Sequence, residues 1–416
     1  MKQQDVNMLL AVGIIILFVA NLFMFLNFIE DSLNFGESGV LVGMMICGAS
    51  FILIIIVSVI LLLFVYKKMI GRKILVILSV ILIILLCGFA VNILINAPVS
   101  GSKIYDSDTE PDQTKIFGNY IIWLSENEVY LLNINDKSAT DIGSATHGPI
   151  IYEDEVFFEN NNLIYQYTIS TKETKQIING SGVSLDVYGE NIIWFENHSI
   201  YLFNILNELT TIIEFDNITL PVLISDNYII WREYVKPLSD EFWEFWFGEA
   251  AGYDNRWTES GVFNIWIYDI TTDEKTKVLS NIMQIIYFGE PVIDLYGDTI
   301  AYANNLSIYT YDISTGENKE IVKHSKINEI QNSDGWKTGY IRDVLIYGNN
   351  IVFGEHYSEQ FKYDGTNYRY YDISSSNNFE IDIWAADIYQ DYVIGWAGPY
   401  SGKTDGDYEL YLVDLK

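Results

Sequence analysis

PVIDLYGDTIAYANNLSIYTYDISTGENKEIV, residues Pro291 to Val322, decides the fold. It divides into four short runs, PVIDLY, TIAYAN, SIYTYDI and NKEIV, broken by Gly297-Asp298, Asn304-Asn305 and STGE. The runs are aromatic and β-branched and the breaks are turn-formers, so the stretch predicts four antiparallel strands. A Gly before a polar residue supplies the positive φ that a two-residue hairpin needs at its first central position. One such sheet cannot bury both of its faces, so any copies elsewhere in the chain carry the argument.

The same pattern recurs as IFGNYIIWLSENEVYLLNI at 116–134, IYEDEVFFENNNLIYQYTI at 151–169 and VYGENIIWFENHSIYLFNI at 187–205. Interrupted copies begin with ISDNYIIW at 224–231, IYGNNIVF at 346–353 and IYQDYVIGW at 388–396. They resume as NIWIYDI, YRYYDI and YELYLVDL, which makes seven copies in all. The second strand ends in a large aromatic at Trp123, Phe158, Trp194, Trp231, Tyr302 and Phe353, a residue that fills space between stacked sheets. The third strand ends in a polar residue at Asn133, Thr168, Asn204, Asp269, Asp312, Asp372 and Asp414, suited to capping the next turn. Seven four-stranded repeats predict an all-β, seven-bladed β-propeller over residues 113–416.

The pattern YGDxIxW followed by IYxYDIxTGExK resembles the propeller repeats of methanogen-type archaeal surface proteins, which are similar to TolB-like propellers. The resemblance covers about residues 112–416 and implies extracellular binding or scaffolding. The last copy stops after its third strand, so a strand near Lys103–Ser107, in the linker 98–112, is expected to complete that blade and close the ring.

Residues 1–97 differ in chemistry. Apolar runs at 8–29, 40–66 and 74–95 are each long enough to cross a bilayer as a helix, predicting an α-helical three-span anchor. Lys67, Lys68, Arg72 and Lys73 link the second and third runs, while Glu30, Asp31 and Glu37 link the first two. That asymmetry predicts a cytoplasmic amino terminus and an extracytoplasmic propeller.

After residue 100 the chain carries 51 acidic against 19 basic residues. Such a field disfavours nucleic acid and anionic lipid as partners of the propeller, and leaves an extracellular protein or a glycan. Both cysteines, Cys47 and Cys87, lie in the apolar runs, so the propeller holds no disulfide.

Inserts at 232–263, 354–367 and 397–407 all interrupt the loop between the second and third strands. In a four-stranded blade that loop shares a face with the blade-to-blade links, so the inserts predict one elaborated face and one of tight turns. The first insert contains DEFWEFWFGEAAGYDNRW, in which Trp243, Trp246, Tyr253, Arg256 and Trp257 are the candidate ligand-binding residues. Aromatic rings beside acids suit a sugar or protein contact, and equally a loop folded on its own aromatic cluster.

Asp186, Asp294 and Asp387 share one position on first strands. They are expected to satisfy neighbouring backbone groups, with cation binding in the central channel as the lesser reading. His147, His198, His324 and His356 have no metal-ligand spacing, and no nucleophile elbow or P-loop is present. No metal, no cofactor and no enzymatic activity are expected on these grounds. A carboxylate-dependent enzyme acting on surface polysaccharide, or a receptor ectodomain signalling through a partner, is the alternative. Glycosylation sequons stand at Asn179, Asn197, Asn217 and Asn305.

Overall fold

The computed structural model describes residues 101–415, apart from 181–182, 216, 239–259, 285–291, 305–306, 324–336, 360–361, 382 and 398–407. The three apolar runs lie outside them, and among the described residues no helix is long and apolar enough to cross a membrane. The described residues form seven four-stranded antiparallel sheets.

The chain opens with β1 (Ser102–Ser107). Blade 1 is β2–β5 (Asp112–Phe117, Tyr120–Ser125, Glu128–Asn133, Ser138–Ser144). Blade 2 is β6–β9 (His147–Tyr152, Glu155–Asn160, Leu163–Thr168, Glu173–Asn179). Blade 3 is β10–β13 (Val183–Tyr188, Asn191–Glu196, Ser199–Asn204, Leu209–Glu214). Blade 4 is β14–β17 (Ile218–Ser225, Tyr228–Pro237, Gly261–Asp269, Glu274–Gln284). Blade 5 is β18–β21 (Ile293–Tyr296, Thr299–Asn304, Ser307–Asp312, Asn318–Lys323). Blade 6 is β22–β25 (Lys337–Tyr347, Asn350–Glu359, Lys362–Asp372, Asn378–Ile381). Blade 7 joins β26–β28 (Trp384–Tyr389, Tyr392–Ala397, Tyr408–Asp414) to β1, which pairs antiparallel with β28.

First strands of successive blades touch in cyclic order, from β2 through β6, β10, β14, β18 and β22 to β26, and β26 touches β2 again. The sheets therefore close into a ring with the first strands innermost. Seven apolar clusters lie one at each blade junction. The ring-closing cluster draws Ile104 from β1, Trp123 from blade 1 and Trp396 from blade 7. Six of the seven junctions are alike because the repeated aromatic of the second strand is at most 3% exposed in blades 1 to 6.

Turn chemistry follows the sequence closely. The residue after each first strand has positive φ in all seven blades: Gly118, Glu153, Gly189, Asp226, Gly297, Gly348 and Gln390, between 49° and 59°. At the third-strand ends, Asn133, Asn204, Asp269, Asp312 and Asp372 accept backbone N–H groups of the following turn.

Candidate functional site

Alternation along the innermost strands sends every second side chain toward the axis. On β2, Thr114 and Ile116 are buried in the blade, while Lys115 and Phe117 face the channel and are only partly covered. The register with the second strand places Ile150, Asp186, Leu223, Asp294, Leu345 and Asp387 level with Lys115. The channel wall at this level thus holds three carboxylates on blades 3, 5 and 7, one ammonium on blade 1 and three aliphatics between.

Each carboxylate reaches into the next blade. Asp186 accepts the N–H of Ile224 at 2.9 Å, Asp294 that of Ile346 at 2.8 Å and Asp387 that of Ile116 at 2.9 Å. Their other oxygens serve their own strands: Asp186 accepts from Val187 and Asp294 from Leu295, both at 2.9 Å. The Asp387 contact spans the junction where the ring closes. Lys115 stands 3.5 Å from Asp387, and its side chain remains 37% exposed to the narrow lumen.

Burial pushes the Asp294 carboxyl up to about 7 and that of Asp186 up to about 6, against the partial relief given by backbone donors and Lys115. Burial likewise raises Asp387, while the neighbouring Asp387 charge raises Lys115. Among the described residues no group of three His, Cys, Asp or Glu side chains is placed to hold a metal ion. The carboxylates act as staples between blades, the backbone role weighed against cation binding in the sequence.

One pleat nearer the tight turns, the next inward position carries Phe117, Tyr152, Tyr188, Ser225, Tyr296, Tyr347 and Tyr389. Adjacent rings meet at 4.3–5.3 Å with interplanar angles of 46–57°, close to the angular step of a seven-fold ring. Blade 4 breaks this collar: Ser225 instead accepts the N–H of Gly297, and Asp226 accepts the phenol of Tyr188, which holds that phenol above its usual range. Burial holds the Tyr347 phenol above its usual range, and its hydrogen bonds with the hydroxyls of Tyr296 and Tyr389 raise it further. The visible signal of the collar in the sequence is the aromatic before the first turn of six blades, Phe117 in blade 1 and Tyr in the others.

The opposite face is built up in blades 4 and 6. β15 and β16 run 10 and 9 residues and β23 and β24 run 10 and 11, against 6 for their counterparts in blades 1 to 3. The candidate residues Trp243, Trp246, Tyr253, Arg256 and Trp257 lie outside the described residues. At the root of that insert, buried Arg232 donates to Gln284 at 2.9 Å and lies 5.0 Å from the centre of the Phe263 ring. Asn179 at the end of β9, Asn197 in the loop between β11 and β12 and Asn217 in the link between β13 and β14 are exposed on this face, and Asn305 lies outside the described residues.

The described residues thus form a seven-bladed β-propeller. No protein-family model matches the chain, and no curated protein matches it. Among solved structures, acylaminoacyl peptidase of Pyrococcus horikoshii is similar at 14% identity and a TM-score of 0.48, over 74% of this chain and 51% of the other. A chain of the mitotic checkpoint complex is similar at 10% identity and a TM-score of 0.47, over 76% of this chain and 92% of the other. The extracellular domain of a B. thetaiotaomicron protein is similar at 12% identity and a TM-score of 0.42, over 74% and 39%.

The chain spans about half the length of the peptidase chains it matches. The sequence-based expectation of no enzymatic activity is corrected by these matches: peptidases are among the chains that share this architecture. The physical reason is that a propeller is held by its backbone and its junctions, leaving its loops free for any chemistry, so missing motifs do not exclude catalysis.

Proposed function

We propose that the chain is a membrane-anchored, extracytoplasmic propeller of cell-surface type that binds a protein or cell-envelope glycan through its long-loop face. The observation that carries this reading is the strand length in blades 4 and 6. Two hairpins are prolonged on one face alone, that of blade 4 opening into the insert after Pro237 and that of blade 6 taking up its extra sequence as strand, whereas the other face keeps seven short turns. Loops raised on a rigid scaffold are where propellers and other folds place recognition. The aromatic and acidic content of 239–259 supplies stacking surfaces and hydrogen-bond acceptors suited to sugars or to a basic protein surface. The three apolar runs and the charge asymmetry of their links support the anchor and its orientation.

Protease added to intact cells is expected to cut the propeller, and the full chain is expected to retain envelope glycan or surface protein that a variant with 239–259 replaced by a short Gly-Ser link does not. Protection in intact cells with cleavage in inverted membranes, or equal retention by both chains, would overturn the reading.

A further inference from the structure

Each blade ends in an outer strand whose far edge has no partner strand among the described residues: β5, β9, β13, β17, β21, β25 and, in blade 7, β1. Six of these edges carry charge within the strand. Asp141 lies in β5, Glu173 and Lys175 in β9, Lys275 and Lys277 in β17, Lys319 and Glu320 in β21, Glu380 in β25, and Lys103 in β1. Charges so placed oppose the addition of another strand. β13, Leu209–Glu214, reads LTTIIE and carries no charge before its last residue.

The same strand concentrates exposed apolar surface. Among the described residues the exposed large hydrophobics are Leu206, Leu209, Ile212, Leu220 and Val235, and the three most exposed belong to β13 and its turn, at 75%, 65% and 54%. Ile213 points into the junction between blades 3 and 4, so alternation puts Leu209 on that same side and Ile212 on the other. Exposed apolar groups therefore flank the open edge on both faces of the sheet. A flat partner would cover one face, whereas a strand continuing the sheet covers both.

We propose that β13 is a strand-addition site, which takes an extended segment of a partner protein as a fifth strand on blade 3. Its backbone N–H and C=O groups turned away from β12, apart from the Glu214 carbonyl that accepts from Lys275, supply the hydrogen bonds, and Leu209 and Ile212 contact alternate side chains of the added strand. Charge sets one end of the partner. Glu208 stands at one end of the strand on a chain of net charge −31, while Lys275 donates to the Glu214 carbonyl at the other at 3.1 Å, so the segment is apolar in its middle and basic at the end that meets Glu208. A second copy fits poorly, because antiparallel pairing of two β13 strands brings the Glu208 and Glu214 of opposite copies together. The site lies on the outer rim and is independent of the long-loop face.

The test uses the purified full chain and a short synthetic peptide of alternating threonine and isoleucine with lysine at one end. Saturable binding is expected, with slowed amide exchange across Leu209–Glu214, and with at least tenfold weaker binding to Ile212→Lys or to a peptide ended by glutamate. Ile212→Thr keeps β propensity and sheds apolar area, so a several-fold loss there, at an unchanged thermal midpoint, separates the site from misfolding. Undiminished binding to Ile212→Lys, no protection of β13, adsorption of the chain to neutral phosphatidylcholine vesicles that Ile212→Lys abolishes, or a dimer abolished by the same change would each overturn the proposal.

Discussion

Gly395 occupies the position that Trp123, Phe158, Trp194, Trp231, Tyr302 and Phe353 hold in the other blades. A Cβ there would sit 2.1 Å from the carbonyl oxygen of Trp384, so the aromatic of blade 7 moves one residue on, to Trp396. The shift gives Trp396 a partner: its indole donates to Thr114 of blade 1 at 2.8 Å. The indoles of Trp123, Trp194 and Trp231 are buried with no hydrogen-bond partner among the described residues. Gly395→Ala is expected to cost about 2 kcal/mol through forced backbone displacement, read as a lower denaturation midpoint. A midpoint within error of the parent would show that this junction is loosely packed.

The channel carboxylates give a pH dependence with a defined sign. An acid whose folded pKa lies above its unfolded value binds its proton more tightly when folded, so its stabilising contribution is full at low pH and fades as pH rises through the folded value. For Asp294 that window runs from the ordinary carboxylate range up to about 7, and for Asp186 up to about 6. The thermal midpoint is therefore expected to fall between mildly acidic and neutral pH, and Asp294→Asn is expected to flatten that fall. An unaltered slope in the variant would show that Asp294 stays ionised in the channel.

At the level of elements, the ring-closing strand matters most. β1 hides the edge of β28, places Ile104 in the last cluster, and is tied to β28 where Lys103, which also meets Asp106 of its own strand at 2.6 Å, meets Glu409 at 2.5 Å. Both contacts are at the surface, so the apolar term is expected to dominate. Ile104→Ala is expected to lower stability by about 2 kcal/mol or more, and Lys103→Ala by less than about 1 kcal/mol. The reverse order, measured by denaturant unfolding, would make the surface ion pairs the closure.

Much of this architecture was legible in the sequence. Strands, turns and blade count follow from local chemistry, because each hairpin break carries its own Gly, Asn or Asp. The seven-membered rings at the axis were not, since they arise only when positions spaced a blade apart converge. Asp186, Asp294 and Asp387 were visible as a set, but Lys115 among them was not, and neither was the use of each carboxylate on the next blade's backbone. The edge at β13 escaped notice for the same reason. That its one charge stands at its last residue has meaning only beside six other edges that carry charge further in.

At the scale of the whole molecule the two faces are unequal, and that inequality is the centre of the functional account. One carries tight turns around an aromatic collar, and the other carries lengthened hairpins, the inserts and the links between blades. The most direct measurement places a photo-crosslinking residue in the full chain in its native membrane, either at Trp246 and Tyr253 in the insert or at Asn119 and Gln390 on the tight-turn face. Adducts with protein or glycan are predicted from the insert positions alone. Equal yields from both faces, or adducts confined to Asn119 and Gln390, would contradict the account.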